Sequence, residues 1–310
     1  MAELLFMKPY MREMIWGGEK LKQMYGYETE SDHIGEAWLV SAHQDGQSTV
    51  DGGTCDGLTL KELWEQHREL FGGMEGDKFP LLVKLIDARD NLSIQVHPDD
   101  VYAGEHENGE KGKTECWYVV DCEEGADIII GHRAQTKEEL KELVDAGKWD
   151  DLLSVLPIHP GDFFYIPAGT VHAIRKGTLI LETQQNSDIT YRLYDYGRLQ
   201  DGKPRKLHIS QSLDVIRCPH AVPETRETEE QLPGARRQVL VRCPLFTVAR
   251  WNVEGTYVME QPYPFLIVDV LEGSGTVNGR KIRKGDHFLA PSGSGDLTFE
   301  GELLLITSHV

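Results

Sequence analysis

The 310-residue sequence predicts a mainly β protein of two small jelly-roll barrels, with a few helices inserted in its N-terminal half. Three observations predict this. Short apolar stretches recur throughout, separated by Gly, Pro and Asp turns. Helical periodicity is confined to two segments. One motif occurs twice, once in each half.

In chain order, residues 1–55 mix short apolar runs with turns, such as IGEAWLVSA. Over 59–71, Leu60, Leu63, Trp64, Leu70 and Phe71 follow a helical period behind Thr59, a candidate cap. The apolar stretch 79–86 and the alternation over 92–97 read as strands joined by the polar turn Asp87–Asn91. CWYVVD and ADIIIGH form a further strand pair. Residues 136–156 read as helix: Leu140, Leu143 and Val144 share a face, and Thr136 precedes Glu139 as a capping pair. GDFFYIP, GTVHAI, TLILETQQ and ITYRLYDY then read as strands. Residues 219–238, rich in Pro, Glu, Thr and Arg, read as a linker between a domain over 1–218 and a second over 239–310. LFTVARWNV, PFLIVDVLEG, GTVNG, RKIRKGDHFLAP and ELLLITS supply the second domain's strands.

The repeated motif is GDFFYIPAGTVH at 161–172 and GDHFLAPSGSGD at 285–296. Gly-Asp turns the chain into a strand, Pro-x-Gly turns it out, and the last residue starts the next strand facing inward. This resembles the second sequence box of the cupin fold, a small jelly-roll barrel. The first copy ends in His172 and the second in Asp296, so only the first barrel is expected to keep this metal ligand.

Composition narrows the function. With 40% hydrophobic and 27% charged residues the chain is globular. A formal net charge of −19 opposes non-specific nucleic-acid binding, so a bound phosphate needs a local cationic pocket. No apolar run approaches the roughly 18 residues of a membrane span. The N-terminus lacks the pattern of a secretory leader. The five cysteines form no C-x-x-C pair, which fits a reduced, cytoplasmic compartment.

A metal site is suggested by SIQVHPDD. Gln95 and His97 stand two apart on a strand and so share a face. Glu115 enters the next apolar strand, where a carboxylate without a cation would be costly to bury. His172 arrives from the Pro-x-Gly turn. Two His, one Glu and one Gln suit Zn²⁺ with an open position. A lone strand His is more often a packed or hydrogen-bonded residue. The combination, at cupin spacing, carries the inference. The other histidines, His43, His208 and His287 among them, lack such partners in the sequence and read as ordinary packed or surface residues. Asp99 and Asp100 read as a turn after the ligand strand.

QVHPDD, GKTECWYVVD, YIPAGTVHAI and QQNSDITYRLYDYGR, in that order, resemble the type I phosphomannose isomerases, close to their short bacterial form. IWGG and IGEAWLVSAH are similar to that family's N-terminal signatures. The resemblance is strong through about residue 215 and architectural beyond it. It implies one Zn²⁺ per chain on Gln95, His97, Glu115 and His172, and a small sugar phosphate as substrate. It implies Arg192 as the active-site arginine, Asp188 as an acid/base, and Lys84 and Lys113 as active-site lysines. Longer relatives often carry His just before the second lysine, where this chain has Gly112. Their long helical insertion is reduced here to about 136–156.

The implied reaction interconverts mannose 6-phosphate and fructose 6-phosphate through an enediol. Asp188 or Lys113 is expected to move the proton. Arg192 is expected to face developing negative oxygen charge. Lys84, Arg192, Arg198 and Lys206 are candidates for the phosphate. Trp16 lines the sugar pocket or belongs to the core. A cupin oxygenase and a non-catalytic sugar-phosphate-binding cupin are the alternatives; Gln95 and the cation set fit the oxygenase poorly. Oligomeric state is left open by the sequence.

Overall fold

A computed structural model describes residues 2–223, 225 and 228–310. The predicted linker residues 224, 226 and 227 therefore lie outside the described residues. The chain is mainly β. In the N-terminal part, six strands pair in the order Phe163–Ile166, Glu115–Cys122, Thr178–Gln185, Leu81–Ala88, Tyr10–Gly18 and Ile34–Val40. Five others pair in the order Leu153–Pro157, Asp127–His132, His172–Ile174, Ile94–Val96 and Tyr191–Tyr194. The two sheets face each other. Trp16, Ile86, Trp117 and Ile180 of the first pack with Ile128, Ile130 and Ile174 of the second.

A nine-stranded sheet contains the C-terminal strands, and Leu5–Lys8 joins it by pairing with His287–Pro291. Residues at the chain's start are thus tied to its end. One core spans both parts: Leu39, Val83 and Leu181 share it with Phe246, Phe265 and Leu289. The first helical segment seals this contact. Thr59 caps the helix Leu60–Gln66 in a full capping box with Glu62, and a 3-10 turn Arg68–Phe71 follows. Trp64 and Phe71 pack edge-on at 5.2 Å, and Phe79 meets Phe265 at 4.9 Å.

The repeated motif is a repeated turn. Gly161 and Gly285 adopt φ of 94° and 93°, where a side chain would be strained. Asp162 accepts from the backbone N–H of His159 at 2.7 Å, and Asp286 from that of Arg283 at 2.8 Å. The copies diverge at their ends. His172 is fully buried on a strand, whereas Asp296 is exposed and precedes the strand Leu297–His309, so its expected inward orientation is not observed.

Other expectations change in detail. The 136–156 segment is helical over Lys137–Asp145 and Trp149–Leu152 only; Gly147 (φ 64°) interrupts it. Leu153–Pro157 is instead an edge strand on Asp127–His132, which suits the β-branched Val155 and a closing Pro. Asp99 and Asp100 start a helix, Asp100–His106, with the Asp99 side chain accepting from Tyr102 N–H at 2.9 Å. Part of the stretch read as linker, Thr228–Leu232, forms a hairpin with Ala235–Arg242. PFLIVDVLEG and GTVNG merge into one strand, Phe265–Val277. Its glycines read as a break in sequence, yet Gly273 and Gly275 lie against the carbonyls of Glu302 and Glu300, where a Cβ would not fit.

Phe265→Ala is expected to destabilise the fold by about 3–5 kcal/mol through the cavity it leaves in the shared core. The urea midpoint of the whole chain checks this.

Candidate metal centre and its cavity

Two cross-strand rows build the site. On the five-stranded sheet, Gln95 pairs with His172 on one side and with Arg192 on the other. On the six-stranded sheet, Trp117, Glu182, Lys84 and Trp38 stand opposite one another on successive strands. Between the sheets lies a cavity of about 320 Å³ lined by residues of both, including Trp16, Lys84, Gln95, Lys113, Asp188 and Arg192.

His97, Glu115 and His172 meet with their ligand atoms within 4.8 Å of one another, all buried. His97 Nε2 lies 3.4 Å from one Glu115 oxygen and His172 Nε2 lies 3.3 Å from the other. Each ring spends its Nδ1–H on a backbone carbonyl, His97 on Ile189 at 2.8 Å and His172 on Thr170 at 2.9 Å. That leaves both Nε2 lone pairs aimed at a carboxylate, an arrangement that suits a cation between them. Burial, then the nearby Lys113 ammonium, push the His97 imidazole down to about 3, and burial lowers His172. Both rings are neutral donors. Burial opposes ionisation of Glu115, but the Lys113 ammonium at 2.7 Å outweighs it and holds the carboxyl well below its usual range. Neither Glu115 oxygen has an aligned hydrogen bond. The donor set fits a divalent metal. Gln95 turns its amide Nε2 to His172 Nε2 at 3.4 Å, with Oε1 accepting from the Ser93 hydroxyl at 3.5 Å, so the expected fourth ligand requires the amide to be flipped.

The charges beside this cluster alternate. Lys113 Nζ lies 2.7 Å from Glu115 and 3.7 Å from Glu182. Lys84 Nζ lies 3.1 Å from Glu182 and 3.7 Å from Glu36. Trp117 donates its indole N–H to Glu182 at 2.8 Å, and Trp38 donates to Glu36 at 2.6 Å. Lys84 is only 3% exposed, so it is a buried ion partner and not a snorkelling surface residue. Burial would lower its pKa, but Glu182 and Glu36 together raise it.

Of the remaining predicted residues, Trp16 is both buried and cavity-lining. Asp188 lines the cavity from the loop before Tyr191–Tyr194, not from the strand that carries Arg192. Its carboxyl is opposed by burial but held down by Lys84, Arg12 and Lys113. Arg198 is not among the lining residues: its guanidinium donates to Asp195 at 2.5 Å and to the Asn91 carbonyl. Lys206 contributes its backbone carbonyl, which accepts from Arg192 at 3.1 Å. Sequence reasoning missed Arg12, Glu36, Glu182, Arg205 and His208, all of which line the cavity. The glutamates did carry a signal, since each sits within an apolar strand where an acid needs a partner. Gly112 also has a local reason. A Cβ there would lie 2.4 Å from the Asp99 backbone, so any larger residue requires the Pro98–Asp100 backbone to move.

This fold and this buried nitrogen–oxygen cluster define a cupin-type protein with a metal-compatible centre. The chain belongs to the type I phosphomannose isomerase family. The model of that family's catalytic domain, "Phosphomannose isomerase type I, catalytic domain", matches residues 4–121, and "Mannose-6-phosphate isomerase, cupin domain" matches 236–310. The chain is 51% identical to mannose-6-phosphate isomerase ManA of Bacillus subtilis, covering 100% of this chain and 99% of that one. It is 49% identical to mannose-6-phosphate isomerase of Streptococcus mutans over 100% and 99%. A crystal structure of the mannose 6-phosphate isomerase from Bacillus subtilis superposes with a TM-score of 0.98 at 48% identity, covering both chains fully. A structure of phosphomannose isomerase from Salmonella typhimurium shares the fold, with a TM-score of 0.80 at 15% identity over 99% of each chain.

Glu115→Gln and His172→Ala are expected to lose stoichiometric divalent metal, read by elemental analysis of desalted protein. Lys84→Met strands two buried glutamates and is expected to cost about 3–5 kcal/mol of stability. Its chemical denaturation midpoint checks this.

Proposed function

We infer that this protein is a metal-dependent aldose–ketose isomerase interconverting mannose 6-phosphate and fructose 6-phosphate. The observation that carries the reading is the juxtaposition of the buried His97–Glu115–His172 cluster with a cavity lined by Asp188, Arg192 and Lys113, the last of which contacts Glu115 at 2.7 Å. Relatives at about half identity over the whole chain support the substrate.

Zn²⁺ is the metal that best suits the nitrogen–oxygen donor set, and when bound it supplies charge that polarises the sugar's carbonyl. The remaining chemistry belongs to the side chains. Isomerisation removes the proton at C2 of the open-chain aldose and returns one to C1. Asp188, kept ionised by its cationic neighbours, is suited to take the C2 proton. Lys113 is the alternative, but its contact with Glu115 and His97 commits it to the ligand cluster. Arg192 faces developing negative oxygen charge, and its Nε has no partner. Arg192 supplies the cationic end that suits the phosphate, with Arg205 beside it held on Asp195 and His208 kept neutral by burial and by Arg192. Lys84, flanked by two carboxylates, has little net charge to offer a phosphate and instead organises the glutamates. Trp16 walls the sugar side.

Residues 1–218 form the catalytic cupin domain in this reading, and 239–310 a metal-free cupin-like domain that supports it. No described helix is long and apolar enough to cross a membrane. The five cysteines are free, which supports a reducing, cytoplasmic setting.

A coupled isomerase assay on mannose 6-phosphate tests the reading. Turnover is expected to vanish with a chelator and to return with added Zn²⁺. Metal-replete protein without turnover would favour a binding module, and oxygen uptake would favour an oxygenase. Deuterium wash-in at C2 separates the bases. Asp188→Asn is expected to slow exchange by about 10²-fold or more. Lys113→Met exchanging more slowly than Asp188→Asn would reverse the assignment.

A further inference from the structure

We propose that Arg12 is the positioning residue of the reaction, reaching across the cavity to hold the Asp188 carboxylate in the orientation the proton transfer needs. This rests on the reading of Asp188 as the acid/base.

Asp188 sits in a loop between two sheets. The preceding strand, Thr178–Gln185, belongs to the six-stranded sheet, and the following one, Tyr191–Tyr194, to the five-stranded sheet. The loop backbone is anchored on either flank: Gln184 Nε2 donates to the Ser187 carbonyl at 2.6 Å, and His97 Nδ1 to that of Ile189 at 2.8 Å. The Asp188 side chain has no strand ladder to aim it. The hydrogen bond its carboxylate accepts comes from Arg12 NH1 at 3.0 Å, from a residue 176 positions earlier.

Arg12 is itself held. It stands on the strand Tyr10–Gly18, and its guanidinium carbon lies 5.1 Å from the Trp38 ring centre. Trp38 is completely buried and fixed by its indole bond to Glu36. A guanidinium held at once by a cation–π contact and an ion pair is restrained in direction. It orients the carboxylate by a directional bond, which the other cations near Asp188 do not supply. Lys84 and Lys113 act at a distance and are already paired with glutamates.

The groups facing this pair come from several elements. Lys84 comes from the strand Leu81–Ala88, Lys113 from the segment before Glu115, and Arg192 from the strand after the loop. His43 adds a ring beside Asp188, and Glu36 and Asp45 face Arg12. Among the cations, Arg12 combines charge with a hydrogen bond. Its loss therefore both frees the carboxylate and leaves a half-buried acid less favoured in its ionised form.

The test is steady-state kinetics across pH on metal-replete Arg12→Met, Arg12→Lys and Asp188→Asn. Arg12→Met is expected to lower kcat about tenfold or more and to move the acid limb of kcat/KM up by about one pH unit. Its KM should stay within about twofold of the parent, since uniform binding is unchanged. Arg12→Lys keeps the charge and is expected to restore the acid limb while recovering only part of kcat. In an Asp188→Asn background, Arg12→Met should cost little further. An Arg12→Met enzyme with raised KM, weaker inhibition by inorganic phosphate and an unmoved acid limb would make Arg12 a phosphate ligand. That result overturns the inference and leaves Asp188 in place. Asp188→Asn with parental kcat and limb would remove the Asp188 reading and the inference with it. If Arg12→Met loses metal or unfolds early, the Arg12→Lys profile decides: an acid limb displaced by about one pH unit despite the retained charge, or a fully parental kcat, contradicts the proposal.

Discussion

The structure turns on one carboxylate. Glu115 is wholly buried, and two histidine Nε2 atoms point at its two oxygens. Each histidine is locked in place through its other nitrogen by a backbone carbonyl, so neither can turn away without orphaning a buried N–H. Such a cluster is stable only with positive charge at its centre. Lys113 supplies part of that charge from one side. The remaining demand is what makes this buried cluster a candidate metal centre.

Charge balance then propagates outwards along the six-stranded sheet. Lys113 links Glu115 to Glu182 and Lys84 links Glu182 to Glu36, while Arg12 pairs separately with Asp188. Two tryptophan indoles pin the glutamates between these cations. Breaking either lysine link leaves a buried charge, so the chain of pairs resists piecemeal change. The five-stranded sheet presents His172, Gln95 and Arg192 in a row, and the cavity lies between the two rows.

Much of this was legible in the sequence, for physical reasons. Gln95 and His97 declared themselves by the two-residue period of a strand, and His172 by the turn that precedes it. Glu115 stood out as an acid in an apolar run. The mainly β class, the Thr59 and Thr136 caps and the repeated Gly-Asp turn were equally readable. Arg12, Glu36 and Arg205 were not, because their roles depend on which strands become neighbours. Arg12 meets Asp188 only because Tyr10–Gly18 lands in the six-stranded sheet beside Ile34–Val40 and Leu81–Ala88. The 136–156 helix was overextended because Leu153–Pro157 keeps an apolar pattern that tertiary pairing turns into strand. The C-terminal strands also proved longer than their glycines suggested, since close backbone approach requires those glycines within the strand.

Crystals of the zinc-loaded protein, with anomalous diffraction collected across the zinc edge, test the central claim most directly. The account predicts one strong anomalous peak between the two sheets, bonded by His97, Glu115 and His172, and by Gln95 Oε1 once the amide is flipped, at about 2.0–2.2 Å. A peak elsewhere, or none with Glu115 satisfied by Lys113 alone, would contradict it.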